Sequence, residues 1–279
     1  YIKKFMDEND AIRSFHIIYS QQIYLQLNIY KEKFASQLKL FSVITGKHDI
    51  AQFFFDNTGL SIFNFLRLMQ FTWLYTNLDE SKLQVENNYL NDDFLKMTSE
   101  LYGLKKVKRF IKLVMLDPMN PGEKIKSFKR SLRNAEMQST ERTFFTLYPL
   151  QYYNSKIRII HPSVFTYSLN YFIYDYLKSN DQQFTTEFGS RFEKYVNQSL
   201  QEIQCNYINE GLLKKSLPSQ SKLVDFVIDS EIFIECKAIE STAYPSSNPT
   251  DELIYKSFKD SLIKAYYKQL NVNCTFHYS

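Results

Sequence analysis

A hairpin pattern near the C-terminal end limits the fold of this chain more than any other feature of its sequence. Two short runs of β-branched and aromatic residues lie on either side of Asp229 and Ser230, which predicts two strands joined by a tight turn. Three charged residues interrupt these apolar runs, Asp225 before the turn and Glu235 and Lys237 after it. Residues two apart on a strand point the same way, so Glu235 and Lys237 share one face. Because an unpaired carboxylate among apolar neighbours is unfavourable, these charges need a purpose, and metal binding is one.

The pattern formed by Asp225 and then Glu235-Cys236-Lys237 resembles the PD-(D/E)XK nuclease superfamily, the fold of many restriction enzymes and junction resolvases. The resemblance implies that Asp225 and Glu235 hold a divalent metal, Mg²⁺ with Mn²⁺ as a substitute. It also implies that Lys237 acts on the attacking water and neutralises charge on the scissile phosphate. The residue types suit this chemistry, because Mg²⁺ prefers hard oxygen ligands and the reaction needs positive charge beside the developing negative oxygens. The proline of the family name is absent, since Val224 precedes Asp225.

The Glu-x-Lys triplet is a weak signal by itself, because it is expected roughly once by chance in a chain of this length. A second copy, Glu80-Ser81-Lys82, lies in a polar stretch that is typical of a solvated turn or helix start. The apolar strands and the partner Asp225 distinguish Glu235 and Lys237 from that copy. A structural salt bridge within a sheet is the other interpretation of the pair.

A helix predicted from about residue 187 to 203 supplies the next candidate ligand. Its segment Gly189-Ser190-Arg191-Phe192-Glu193-Lys194-Tyr195-Val196 resembles the first core helix of many PD-(D/E)XK proteins. The resemblance implies a third metal ligand at Glu193, for which a plain surface acid is the alternative. Glu187 competes for this role from the first turn, where the helix dipole also explains an acid. On a later predicted helix, residues 251–270, Gln269 resembles the glutamine that supports the site in many family members.

The predicted elements over residues 184–279 follow the order helix, strand, strand, strand, helix, strand. This order is that of the α-β-β-β-α-β core of the same superfamily, and its agreement with the motif positions strengthens the resemblance. Residues 1–180 are predicted to form a mainly helical N-terminal region, helical to about residue 116, with a sub-boundary at 117–122. The predicted fold is therefore α+β, a helical N-terminal region plus a restriction-endonuclease-like core with a central mixed sheet.

Several shorter elements follow from local signals. Residues 206–217 are expected to hold the first strand of the core, and residues 156–160 a short strand. Pro162 suits the first turn of a helix that His161 caps, and the polar residues 179–183 are the predicted linker. Aromatic stripes at helical spacing are more typical of a core than of a base-stacking surface.

A basic stretch lies between residues 105 and 133, where ten cations face only two acids. One interpretation is a phosphate-contacting surface, which gains sequence-independent affinity from each cation. The other is a solvated helix face. The candidate nucleic-acid contacts are Lys105, Lys106, Arg109, Lys126, Arg130 and Arg133. This region could position DNA but could not cleave it.

Composition leaves the partner open and disfavours several classes of protein. A net charge of +4 permits a nucleic-acid partner without demanding one. Three scattered cysteines give no disulfide framework or zinc spacing, and six glycines form no phosphate-binding loop. The most apolar run, residues 60–78, is interrupted by Arg67 and polar residues, so no membrane span is predicted. A cytoplasmic location is expected, and the start at Tyr1 without a methionine suggests a fragment.

Together with the resemblance, these features predict a cytoplasmic, Mg²⁺-dependent endodeoxyribonuclease of bacterial restriction, phage defence or repair. DNA is the expected partner, with RNA, a companion subunit and a homo-oligomer left open. One alternative is a catalytically silent or partner-activated nucleic-acid-binding module with a nuclease-like fold, against which the intact Asp225, Glu235 and Lys237 argue. The other alternative is a helical interaction protein whose hairpin acids are structural.

Overall fold

The computed structural model describes residues 31–42, 48–77, 89–116, 124, 144–153, 156–216 and 223–237, together with 252, 255 and 259. The chain divides into two compact units, unit 1 with residues 1–42 and 49–184 and unit 2 with residues 43–48 and 185–279. Each unit contains helices and a small sheet, so the protein has the predicted α+β class. None of the described helices is both long and apolar enough to cross a membrane.

Unit 1 combines helices with a four-stranded sheet. Its helices are α1 (Lys31–Ser42), α2 (Ile50–Thr58), α3 (Ile62–Asn77), α4 (Asp92–Tyr102), α5 (Leu104–Val114) and α6 (Pro162–Asn180). Its strands are β1 (Tyr89–Leu90), β2 (Met115–Leu116), β3 (Leu150–Tyr153) and β4 (Lys156–Ile159). The strand order is β1-β4-β3-β2, and the pairs are antiparallel except that β2 runs parallel to β3.

The prediction that residues 1 to about 116 are helical is wrong at β1 and β2. Each of these strands is two residues long, which is too short to show the period-2 alternation that identifies a strand in a sequence. The strand predicted at residues 156–160 is confirmed as β4, which forms a hairpin with β3. The N-terminal region is therefore helical with one small mixed sheet.

The helix ends of unit 1 follow the local sequence. The carboxylate of Asp49 accepts two backbone hydrogen bonds at 3.0 Å from the first turn of α2, and α2 ends at Gly59, whose φ of +68° favours glycine. Pro162 is the first residue of α6, and Nδ1 of His161 accepts a hydrogen bond from the N–H of Ser163 at 3.2 Å. The predicted cap at His161 is thus confirmed.

Aromatic side chains form the core of unit 1. Phe65 of α3 stacks on Phe172 of α6 with ring centroids 4.5 Å apart, and Phe54 of α2 meets Phe65 edge-on at 5.6 Å. Phe110 of α5 packs against Phe65 at 5.8 Å. All four side chains are buried, which agrees with the expectation that aromatic residues at helical spacing form core.

Unit 2 combines two helices with a three-stranded antiparallel sheet. Its elements are α7 (Phe184–Glu202), β5 (Tyr207–Asn209), α8 (Glu210–Ser216), β6 (Phe226–Ile228) and β7 (Ile232–Ile234). The strand order is β5-β6-β7. The hydroxyl of Tyr207 donates to Oδ1 of Asn197 at 2.7 Å and so joins β5 to α7. A small apolar core consists of Leu213, Leu223, Val224 and Val227, with Phe233 packed against it.

The predicted hairpin is confirmed as β6 and β7. Phe226 lies opposite Ile234 in the antiparallel pair, and the turn residues Asp229 and Ser230 have φ values of 49° and 62°. Two successive positive φ values match the right-handed twist of the strands that such a turn joins.

The strand predicted within residues 206–217 is correct only for β5, because the following seven residues form α8. The predicted order helix, strand, strand, strand is observed, with α8 inserted between the first two strands. Of the predicted helix at 251–270, only positions 252, 255 and 259 are among the described residues, and the final predicted strand lies outside them. The restriction-endonuclease-like core and its mixed sheet therefore stay predictions.

Candidate active site

The hairpin brings Asp225 and Glu235 together just beyond its last strand pair. The N–H of Asp225 donates to the carbonyl oxygen of Ile234 at 3.1 Å. The N–H of Cys236 then donates to Oδ2 of Asp225 at 2.6 Å. The carboxylate of Asp225 is therefore bound where the chain leaves the hairpin, beside Glu235.

Helix α8 holds the other side of Asp225. The N–H of Glu210, the first residue of α8, donates to the carbonyl oxygen of Asp225 at 2.8 Å. The preceding residue, Val224, is fully buried in the apolar core that it shares with Leu213 of α8. Asp225 is thus anchored to both α8 and β7, which fixes the position of its carboxylate.

Lys237 forms an ion pair with Glu235, as expected for residues two apart on one face of a strand. Nζ of Lys237 lies 2.8 Å from Oε1 of Glu235, whose side chain is buried while that of Lys237 is partly exposed. The hydrogen bond to Glu235 raises the pKa of Lys237, partial burial lowers it, and the charges of Glu235 and Asp225 raise it further. Lys237 therefore stays positively charged at neutral pH.

Glu193 is exposed on α7, and the charges of the hairpin acids affect its pKa. Partial desolvation raises the pKa of Glu193, the negative charges of Asp225, Glu210 and Glu235 raise it further, and the positive charge of Lys214 opposes them. Glu193, Glu210, Asp225 and Glu235 are called the carboxylate cluster below, because the charges of the other three acids act on Glu193. The three predicted metal ligands are members of it.

Glu187, which competes with Glu193 in the sequence, has a different environment. Its Oε1 lies 3.2 Å from Nε of Arg191, and both side chains are buried. Arg191 also donates to the carbonyl oxygen of His48 at 3.3 Å. Glu187 thus belongs to a buried ion pair that holds α7 to residue 48, whereas Glu193 belongs to the carboxylate cluster.

Glu210 is the member of the cluster that the sequence does not predict. Its Oε2 lies 3.0 Å from Nζ of Lys214, four residues further along α8. An acid followed by a lysine four residues later is typical of a helix, and this spacing is the available signal. Because a strand is expected over residues 206–217, the helical spacing of Glu210 and Lys214 is not recognised from the sequence.

Cys236 lies between the two residues of the Glu-x-Lys triplet but does not have the properties of a nucleophile. Burial raises the pKa of the Cys236 thiol to about 12, together with the charges of Asp225, Glu193 and Glu235 and the hydrogen bond to Asp225. The thiol is therefore protonated at neutral pH, and only thiolates are good nucleophiles.

Comparison with known protein families, with curated protein sequences and with solved structures finds no match to this chain. Functional assignment therefore rests on the residues themselves.

The chemistry of the cluster suits a divalent cation. Within the described part of the chain, no three His, Cys, Asp or Glu side chains are arranged to hold a metal ion together. Mg²⁺ does not need three, because it keeps several waters and commonly binds through one or two carboxylates plus substrate phosphates. Asp225 and Glu235 offer two hard oxygen donors, and a cation beside them would relieve the like charges that raise the pKa of Glu193. These two residues would hold the ion.

Some of the predicted nucleic-acid contacts are among the described residues, and others are not. Lys105 and Lys106 are exposed on α5. Nη1 of Arg109 instead donates to the carbonyl oxygen of Gly59 at 2.7 Å, which gives Arg109 a structural role. Nζ of Lys124 donates to two backbone carbonyls at the end of α5, at 2.6 and 2.7 Å. The remaining candidate contacts lie outside the described residues: Lys126, Arg130 and Arg133. Gln269, predicted to support the catalytic site, also lies outside them.

Proposed function

We propose that this chain is a metal-dependent nuclease that hydrolyses phosphodiester bonds of DNA, with a restriction-endonuclease-like core in unit 2. The observation that supports it is the carboxylate cluster, to which α7 and the two arms of the hairpin each contribute an acid. Carboxylates held close together repel one another unless a cation or proton offsets their charge. Bacterial restriction, phage defence and repair are the contexts that suit such an activity.

Asp225 and Glu235 would hold Mg²⁺, with Mn²⁺ as a substitute. When bound, the ion polarises water and offsets negative charge on the phosphate. Glu193 belongs to the same cluster from α7, and a positioned carboxylate can accept a proton from water. Its role would be to orient and deprotonate the attacking water.

Lys237 would stabilise the negative charge that develops on the phosphate oxygens. It stays protonated because of its hydrogen bond to Glu235, so it supplies a fixed positive charge and does not act as a base. The thiol of Cys236 is protonated at neutral pH and would not serve as a covalent nucleophile. The attacking group would be water.

A second candidate function is a catalytically silent or partner-activated nucleic-acid-binding module with the same fold. The observation that favours it is that both hairpin acids already have partners within the chain. Lys237 pairs with Glu235, and the N–H of Cys236 binds Asp225. Carboxylates satisfied in this way do not require an ion for folding.

The test is cleavage of supercoiled plasmid and of single-stranded DNA in Mg²⁺, in Mn²⁺ and in EDTA. Wild type is compared with Asp225→Asn, Glu235→Gln and Lys237→Ala. The matched control is Lys215→Ala, since Lys215 is an exposed lysine of α8. We expect cleavage in Mg²⁺ and Mn²⁺ by wild type and the control, with a loss of at least a hundredfold in the three site variants.

Equal cleavage by wild type and Lys237→Ala would show that the activity comes from elsewhere and would overturn the proposal. Binding of DNA without cleavage under all conditions would favour the silent or partner-activated module. The hairpin acids would be structural if the wild type neither bound nor cut nucleic acid.

A further inference from the structure

Unit 1 has a second surface with features of a binding site. Cζ of Arg67 lies 5.2 Å from the ring centroid of Phe63 and 5.3 Å from that of Tyr102. Phe63 is 52% exposed, and Arg67 is exposed as well. An aromatic ring and a guanidinium group are both flat faces on which a planar ligand can stack. Phe63, Arg67 and Tyr102 are called the stacking platform below.

A row of lysines begins close to this platform. Helix α5 starts two residues after Tyr102, and its residues Lys105, Lys108 and Lys112 are all exposed. Their spacings of three and four place them on one side of the helix, over a length of about 10 Å. The buried side of α5 consists of Val107, Phe110 and Val114. These three lysines are called the lysine row.

The charges of α5 oppose its own helix dipole. Lys105 and Lys106 lie in the first turn, and that turn contains no acidic residue. Positive charges are unfavourable at a helix N-terminus, and among the described residues no carboxylate forms an ion pair with these two lysines. Cations that weaken their own helix suit a surface that binds a negatively charged partner.

We propose that the stacking platform and the lysine row bind single-stranded nucleic acid. Phosphates would contact the lysines, and an unpaired base would stack on Phe63. Surfaces that bind single strands combine these two elements, a basic path for the backbone and aromatic faces for the bases. A duplex offers phosphates but no unstacked base, so the platform favours a single strand. The choice of nucleic acid as partner rests on the proposed function.

This surface differs from the set predicted by sequence. Arg109 leaves it, because its guanidinium is bound to the carbonyl oxygen of Gly59. Lys108 and Lys112 enter it, because they share a side of α5 with Lys105, and Phe63 and Arg67 enter from α3. Burial and the helix geometry define the set, whereas the sequence shows only that the stretch is basic.

The experiment measures binding of the full chain to a fluorescent 20-nucleotide oligo-dT and to a duplex of equal length, in EDTA so that no cleavage occurs. Phe63→Ala is compared with Phe55→Ala, whose side chain is 46% exposed on α2. Lys105→Gln/Lys108→Gln is compared with Lys215→Gln, an exposed lysine of unit 2. Poly-glutamate is the competitor that represents an acidic protein.

We expect tighter binding of oligo-dT than of the duplex, and a loss of about tenfold for Phe63→Ala. Phe55→Ala and Lys215→Gln should change affinity by less than twofold. The double lysine variant should reduce the slope of log affinity against log salt by about 1.4, since each phosphate contact of a single strand contributes about 0.7. The same variant should melt no lower than wild type, because Lys105 lies in the first turn of α5, where a positive charge opposes the helix dipole.

Three results would overturn the inference: equal affinity for duplex and single strand, unchanged oligo-dT binding by Phe63→Ala, or competition by poly-glutamate as strong as that by oligo-dT. The last would indicate an acidic protein partner. Binding is also measured with Asp225→Ala, so that the two proposals fail separately. A wild type that binds oligo-dT but never cuts contradicts the nuclease alone, and one that cuts while Phe63→Ala binds normally contradicts the surface alone.

Discussion

Nζ of Lys237 lies 2.8 Å from Oε1 of Glu235, and the two side chains differ greatly in exposure, 42% for the lysine and 3% for the glutamate. A buried carboxylate depends on the groups that bind it, whereas a partly exposed ammonium group keeps its contacts with water. Glu235 therefore depends on Lys237 more than Lys237 depends on Glu235. Removal of Lys237 takes a partner from a buried negative charge, whereas removal of the charge on Glu235 leaves a cation that water can solvate.

The unequal pairing predicts that Lys237→Ala lowers the free energy of unfolding by about 1–3 kcal/mol. In a Glu235→Gln background, the same substitution should cost less than half as much, because no buried charge is left without its partner. The measurement is urea unfolding of the wild type, both single variants and the double variant.

Lys215→Ala is the control for loss of an exposed lysine, and it should change stability by less than 0.5 kcal/mol, as is usual for surface substitutions. Equal losses from Lys237→Ala in both backgrounds would show that the two residues are not coupled.

The charges around Glu193 predict a pH-dependent effect of Glu193→Gln. Because the pKa of Glu193 is raised in the folded chain, its ionisation is less favourable there than in the unfolded chain. The wild type therefore loses stability as the pH rises from the ordinary carboxyl pKa through the raised value, and the glutamine variant does not. At pH 7.5 in EDTA, Glu193→Gln should melt about 1–2 °C above wild type, a small shift because solvent screens this exposed side chain.

The difference in melting temperature between wild type and Glu193→Gln should vanish near pH 3, where Glu193 is protonated in both the folded and the unfolded chain. Mg²⁺ at neutral pH should stabilise the wild type more than Glu193→Gln, because the ion offsets the same charges. A variant that melts below the wild type at pH 7.5 in EDTA would show that the cluster does not strain Glu193.

Local signals account for the parts of unit 2 that the sequence predicts. The hairpin follows from apolar strands on either side of Asp229 and Ser230, and the pairing of Glu235 with Lys237 follows from the two-residue period of a strand. Glu193 is implied by resemblance, and its approach to Asp225 depends on how α7 packs on the sheet. No local pattern carries that information.

Non-local contacts account for what the sequence does not predict. The bond between Arg109 and Gly59 joins residues fifty positions apart, so a run of cations gives no hint that one of them is used internally. β1 and β2 exist only because β4 and β3 pair with them. Glu210 enters the carboxylate cluster because its N–H binds the carbonyl oxygen of Asp225.

The environment of Cys236 predicts an unreactive thiol. Its pKa of about 12 compares with an ordinary value of 9.0, so about a thousandfold less thiolate is present at pH 8. Because thiolates of higher pKa are also more nucleophilic, alkylation by iodoacetamide should be slowed less than the thiolate fraction is, but still at least about tenfold compared with an ordinary thiol. The measurement uses Cys205→Ser/Cys274→Ser, which leaves Cys236 as the only thiol, and follows the modification by mass spectrometry.

Asp225→Asn in the same background should speed the reaction, since it removes both a negative charge and a hydrogen bond to the thiol. Denaturation in urea should abolish the difference from a free cysteine. An alkylation rate that levels off near pH 9 in the folded chain would contradict the prediction.

The buried ion pair of Glu187 and Arg191 predicts a stability effect opposite in sign to that of Glu193→Gln. The side chains are 4% and 1% exposed, so Arg191→Met would remove a buried positive charge that lies 3.2 Å from the carboxylate of Glu187. We expect the free energy of unfolding to fall by about 3–5 kcal/mol. Glu187→Gln/Arg191→Met should recover most of this loss, because it removes both charges.

The two acids of α7 can thus be separated by urea unfolding at pH 7.5 in EDTA. Glu187→Gln removes the buried negative charge beside the guanidinium of Arg191 and should destabilise the chain, whereas Glu193→Gln relieves repulsion and should stabilise it. A loss below about 1 kcal/mol for Arg191→Met, well under the usual cost of breaking a buried pair, would show that water or other groups already satisfy Glu187. If the stability changes of Glu187→Gln and Glu193→Gln instead have opposite signs, Glu187 stabilises the fold of unit 2. Glu193 is then the acid of α7 in an unfavourable charge environment, which is what a group that binds a cation or a proton requires.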